Sequence, residues 1–272
     1  MGIDKPTMPA KDGFALTSGD MELLRWTHEL RIATIDHLAA LSGRSEIALW
    51  RRLRKLRERH YLASVARLMQ RHIYAIGSEG IPVLIEQGYA PQTLANKRIR
   101  HYELKEIGLR HSVFVADVHL RILLLAKPGP IKLAYWQEGP ALWDSVVARA
   151  GEPAIPVRPD AFFILQHTER PEGKNRIHFF LEADRSTMSH ERMAQKLRGY
   201  VAYHDQQRHA LKYAGMKSFR VVTVTQTRGR AKELQHGLQH LIPTAPMQRA
   251  YRFIAFEDLA LAALLPPPAL KP

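Results

Sequence analysis

The chain has 272 residues, 46% hydrophobic and 24% charged, which is the balance of an ordinary globular protein with room for one large core or two smaller ones. It has no cysteine, which excludes disulfides, thiolate catalysis and cysteine-ligated zinc, and no apolar run approaches the roughly eighteen residues of a membrane span. Against 26 Asp and Glu stand 40 Lys and Arg, a formal charge of +14 that favours a polyanionic partner, nucleic acid before a membrane surface. With no apolar segment of a signal peptide at the start, the expected location is cytoplasmic.

Residues 1–18 mix Gly, Pro and Lys without period and predict a flexible tail. A first domain is expected over 19–90. It opens on three helical segments, DMELLRWTHELRI, TIDHLAALSG and SEIALWRRLRKLRERHYL. Thr34 and Ser45 stand where N-caps are needed and Gly43 where the chain must turn, the layout of a helix-turn-helix. In the third segment Leu49, Leu53 and Leu56, with Trp50, predict a buried stripe that leaves a dense cationic face. LASVARLMQRHIYAIGSEG then reads as two short strands, a wing, ending at Ser78 as the cap of a helix over 79–87. This is the order of a winged helix, and its DNA-contacting set would be Arg44, Arg51, Arg52, Arg54, Lys55, Arg59 and Arg71. The plainer alternative is a solvated basic face.

PQTLANKRIR (91–100) changes composition and predicts a linker into a second domain over 101–262, with a Pro-rich tail over 263–272. The second domain opens on a long helix with Leu104, Ile107, His111, Val115, Val118, Ile122 and Leu125 on one stripe. Strands follow in IKLAYWQE, RPDAFFIL and RIHFFLEAD, then a helix capped by Ser189, a β-branched strand FRVVTVTQT, a helix over about 229–240 and a last strand near YRFIAF.

The unusual feature is HFFLEADRST, where Glu182 and Asp184 sit two apart in an apolar strand and so share a face, with Phe179, Leu181 and Ala183 toward a core. A hairpin would bring Asp160, at the start of the preceding strand, beside them. Three carboxylates at one sheet edge could ligate Mg²⁺ or Mn²⁺, or could be held by Arg185, Arg158 or Lys196 with no metal at all. Asp160 alone reads equally as a turn residue, His111 as a hydrogen-bonded core histidine before a general base, and Glu138 as a solvated strand-end acid before a ligand.

The P-D on one strand and the acids on the next resemble the PD-(D/E)xK nuclease superfamily, with Asp184 where that pattern carries lysine. RHSVFVADVHL, WQE, RPDAFFIL, FLEADRST, MAQKLRGYVAYH and RVVTVTQT together resemble the replication-relaxation family of plasmids and other mobile elements. That resemblance implies an α+β and α/β protein, a winged helix followed by a restriction-endonuclease-like mixed sheet flanked by helices. It implies DNA transactions of mobile elements, with other replication or mobilisation proteins among the partners; the composition leaves no membrane as a partner, and a homodimer stays open as an assembly. A catalytic set would comprise Asp160, Glu182 and Asp184, with Lys196 before Arg185 in the role of the missing lysine. Two functions stay open: a DNA-binding protein that also cleaves phosphodiesters with a divalent metal, and a non-enzymatic DNA-binding regulator or accessory factor. A tyrosine relaxase using Tyr200 or Tyr203 is a third class, weakened by the missing histidine pair.

Overall fold

The computed structural model describes residues 14–68, 71–94, 106–149, 151–214, 216–242 and 244–265. Most of the expected linker, 95–100, and the tail from 266 lie outside the described residues. The chain divides into two compact units between Asp117 and Val118.

In the first unit, α1 (Ser18–Glu29), α2 (Ile35–Ser42) and α3 (Glu46–Glu58) are followed by the antiparallel hairpin β1 (Leu62–Leu68) and β2 (Arg71–Ile76), then α4 (Gly80–Glu86). Thr17 and Asp20 form a reciprocal capping box on α1, and Thr34 and His37 do the same on α2. The Ser45 hydroxyl accepts from the Ala48 amide at 3.4 Å to start α3. Gly43 closes α2 at φ 69°, a left-handed conformation that a side chain would strain. Ser78 is not the cap of α4: Glu79 stands there, without a side-chain bond to the helix. The chain is instead fixed by close approach, because a Cβ on Gly77 would lie 2.1 Å from the His60 carbonyl oxygen and one on Gly80 2.3 Å from that of Tyr61. Within the expected tail, Thr17 caps α1 and Phe14 is half-buried. Phe14 lies under the guanidinium groups of Arg52 and Arg59 at 4.4 and 4.3 Å.

Leu49, Leu53 and Leu56 are wholly buried, recurring at four and three along one side of α3, and each contributes roughly 1.5–3 kcal/mol by leaving water. Trp50 does not join them. It is 50% exposed, because one residue of α-helix turns the side chain about 100° away from Leu49, and Arg54 stacks over its ring at 5.2 Å.

The helix α5 (Glu106–Ala126) spans the division. In the first unit Leu109 packs with Ile32, Ile73 and Ala75. The second unit is built on a five-stranded sheet of order β3-β6-β7-β8-β9: β3 (Ile131–Glu138), β6 (Ala161–His167), β7 (Arg176–Asp184), β8 (Arg220–Thr225) and β9 (Tyr251–Ala255). The first three are antiparallel neighbours and the last three parallel ones, joined through α6 (His190–Asp205) and α8 (Arg228–Leu238). A side ribbon of β4 (Asp144–Val146) and β5 (Ile155–Val157) and the short helices α7 (Arg208–Lys212), α9 (Ala245–Ala250) and α10 (Leu261–Leu264) complete it. The protein is thus α+β with a mixed sheet flanked by helices.

Because β7 is the middle strand, both its faces are covered, and the alternation that suggested one wet face fails. Phe162 and Phe180 pack with Leu197, Tyr200, Tyr203 and Phe219 on one face. On the other, His119 stacks on Trp136 with ring centres 3.9 Å apart, and the column continues through Phe163 to Phe179 at 5.4 and 4.7 Å. His119, 3% exposed, is therefore the core histidine of α5, whereas His111, placed on the stripe from the sequence, is only half-buried. Among the described residues no helix is long and apolar enough to cross a membrane.

Candidate functional site

The hairpin β6–β7 places Asp160 opposite Glu182, one step beyond the Ala161–Leu181 pair. Its amide donates to the Leu181 carbonyl at 2.9 Å, and its carboxylate accepts from the Ala183 amide at 2.8 Å. Asp160 thereby extends the ladder past the proline that precedes it, since Pro159 has no N–H to give. Glu182, with 4% of its side chain exposed, accepts hydrogen bonds from the Lys196 ammonium and, at 2.6 Å, from the Tyr200 hydroxyl. Burial pushes its pKa above the ordinary carboxylate value; Lys196 pulls it back and the nearby charge of Asp160 adds to the rise. Burial works against the charge of Lys196 as well, but Glu182, Asp160 and Asp184 together hold its pKa above the usual lysine value. The lysine is therefore a fixed cation and not one poised to lose a proton.

Asp184 is held separately. Arg230 of α8 donates to it through Nε at 2.8 Å and to the Met188 carbonyl at 2.6 Å, while the Ser186 amide donates to the other carboxylate oxygen at 3.1 Å. The three acids thus lie in one electrostatic neighbourhood, yet each is engaged by a different partner. Among the described residues no three His, Cys, Asp or Glu side chains gather into a group able to hold a metal ion. A divalent cation here would have to displace both Lys196 and Arg230, two charges that already neutralise the buried acids, so the residues present do not fit Mg²⁺ or Mn²⁺ as the expected three-carboxylate set.

The other expected participants lie apart. Arg185 is not among the hydrogen-bond partners of Glu182 or Asp184. Arg158 stacks over Trp143 at 5.0 Å. Glu138 pairs in register with Ala161 and hence shares a face with Leu181, opposite to that of Glu182; it accepts from the Trp136 indole at 2.8 Å. Tyr200 is buried, and burial first, then the charge of Glu182, raises its hydroxyl pKa well above normal, which is the reverse of what a nucleophile needs.

In the first unit, the capping of α3 at Ser45 and the burial of its leucines fix which cations face water. Arg51 and Lys55 are exposed and form no ion pair among the described residues. Arg54 pairs with Glu58 at 3.5 Å across one helical turn, a contact that solvent makes weak. Arg52, expected on the same face, is committed inward: it forms a bidentate pair with the wholly buried Asp20 and also donates to the Ala15 carbonyl at 3.2 Å. The Asp20 carboxyl is held below its ordinary pKa because bonds from Arg52 and Thr17 outweigh its burial. Arg44 lies against Gly19, Arg71 pairs with the exposed Asp36, and Arg59 is half-buried over Phe14. Between α3 and β2 a cavity of about 340 Å³ is lined by Ile35, Glu46, Ile47, Trp50, Arg71, His72 and Tyr74.

Three contacts had no local signal in the sequence: Arg230 with Asp184, Arg52 with Asp20, and His37 with Asp117 at 2.7 Å. Their partners lie 32 to 80 residues apart, so no spacing rule joins them.

No curated protein and no solved structure matches the chain. A family model does, described as replication-relaxation, over residues 24–218, which takes in the second half of α1, α2–α4 and the hairpin of the first unit together with β6, β7, α6 and the acids they position. On that match over most of its length, the chain belongs to the replication-relaxation family.

Proposed function

We propose that this protein docks on DNA through a winged helix formed by α1–α4 and the β1–β2 hairpin, and that its second unit is a PD-(D/E)xK-like fold kept as a non-catalytic module in plasmid or mobile-element replication. One observation carries the reading. Burial of Leu49, Leu53 and Leu56 turns Arg51, Arg54 and Lys55 outward beside the exposed Ile47 and Trp50, on a chain of net charge +14. Cations on an exposed helix can meet phosphates, and an apolar or aromatic tip can meet base edges in the major groove. The family name supports replication as the setting, and the neutralised acids of β7 support the non-catalytic half.

The test is fluorescence anisotropy on duplex DNA over a salt series. Replacing Arg51, Arg54 and Lys55 with Ala should flatten the log–log salt slope by roughly 0.9 for each phosphate that α3 no longer neutralises. Arg52→Ala should leave that slope unchanged and instead lower stability, since it strands the buried Asp20. An unaltered slope in the triple variant removes α3 from the DNA interface. Supercoiled, single-stranded and branched DNA incubated with Mg²⁺ or Mn²⁺ should stay intact; cleavage abolished by Glu182→Gln would restore the nuclease reading.

A further inference from the structure

At the opposite end of the sheet from the acids, where β7, β8 and β9 begin, a cavity of about 430 Å³ opens between strands and helices. Its wall carries Arg170, Arg176, Arg220 and Arg249 with His178 and His204, and no Asp or Glu lines it. Arg170, Arg176 and Arg249 are exposed, and among the described residues none of them forms an ion pair. Arg220 donates to the Leu264 carbonyl at 2.7 Å, and burial and then the neighbouring charge of Arg252 lower its pKa. His178 is likewise depressed by burial and by Arg176. The floor is apolar: Phe219 and Met247 are buried there, and Tyr251, 5% exposed, has a hydroxyl with no hydrogen-bond partner among the described residues.

Four guanidinium groups around one hollow repel each other; Asp205, near the Tyr251 hydroxyl and paired with His204, is one negative charge against four, and an oxyanion would relieve the rest. Arg is suited to the task because its planar fork matches a phosphate in two bonds at once. The volume lies within the roughly 300–1,000 Å³ of small-ligand pockets, and the half-buried rings of His178 and His204 give a base a place to lie beside the anion. We propose that this cavity is a second nucleic-acid site, which takes a nucleotide phosphate with its base against the His178 and His204 rings, in a single DNA strand or as free nucleotide. A strand fits better than a duplex, since base stacking requires an unpaired base. The site is separate from α3 and stands or falls independently of the reading above.

The measurement is the rate at which phenylglyoxal modifies Arg176 and Arg249 in the full-length protein, read by mass spectrometry with oligothymidylate, dTMP or thymidine added. Oligothymidylate should slow both by roughly tenfold, whereas thymidine, which lacks the anion, should not. Protection by dTMP as well shows that free nucleotide fits; protection by the oligomer alone shows that the ligand is a strand; both uphold the site. Equal rates under every addition overturn it. Independently, in the Arg51/Arg54/Lys55→Ala background, Arg176→Ala with Arg249→Ala should reduce the salt slope for oligothymidylate by roughly 0.7 for each phosphate that the cavity no longer neutralises. An unchanged slope and affinity there would also overturn the proposal.

Discussion

A Lys196→Met protein should be less stable by roughly 3 kcal/mol, the low end of what breaking a buried ion pair costs, because Lys196 keeps 28% of its side chain in solvent. The loss comes from what remains behind. Glu182 would sit 4% exposed with only the Tyr200 hydroxyl donating to it, and its pKa, already raised by burial, would climb until the carboxyl takes up a proton. Glu182→Gln added to Lys196→Met should recover more than half of the loss, since the amide oxygen still accepts from Tyr200 and no charge is left unpaired. Urea unfolding of the single and double variants, followed through the second unit, closes the cycle. Additive losses in the double variant would show that the pair is not coupled, and the structural account of these residues would then fail.

That cycle bears on function because the same residues carry the nuclease resemblance. A lysine that serves a reacting phosphate must have an orientation open to it, whereas this one is tied to Glu182 and kept charged by three carboxylates. The resemblance rests on the sequence, with a P-D before one strand and acids on the next; the structure adds which side chains hold those acids. Arg230 settles that for Asp184 from a helix that begins 44 residues after β7 ends, at Arg228.

The elements were largely legible in the sequence because they are encoded locally. Caps at Thr34, Ser45 and Ser189 and the left-handed Gly43 are read from a few neighbouring residues, and the apolar run of β8 marks a strand covered on both faces. The pieces that escaped are short: β4, β5, α7, α9 and α10 have three to six residues, too few to show a period. Side-chain partnership was less legible. Trp50 and Arg52 exchanged the roles expected of them, one turning out to solvent and the other in toward Asp20, because the partner that decides the matter is on α1. Similarly, the acids of β7 announced themselves by composition, but only the packing of α6 and α8 on that face determines that cations already occupy them.

His119 supplies the second large effect, through pH. Burial lowers its pKa from 6.5 to about 3, so the folded ring stays neutral where the unfolded one is protonated. The sign follows from proton counts: below pH 6.5 the unfolded state binds the extra proton, so stability is complete above that value and is lost as pH falls toward about 3. The slope is about 1.4 kcal/mol per pH unit, or roughly 2 kcal/mol between pH 6.5 and pH 5, before the depressed carboxyls of Asp20 and Asp144 begin to titrate. His28 and His178 are also depressed by burial and act in the same direction, which makes a difference measurement necessary. His119→Phe keeps a flat ring against Trp136, 3.9 Å away in the parent, and removes the titrating group. Hydrogen exchange at the Phe163 and Phe179 amides, in the strands beneath that column, should show a shallower acid loss in the variant than in the parent by close to the full slope. Parallel pH profiles in the two proteins would mean that His119 accepts a proton in the folded state, and that the stacked column admits water which the structure excludes.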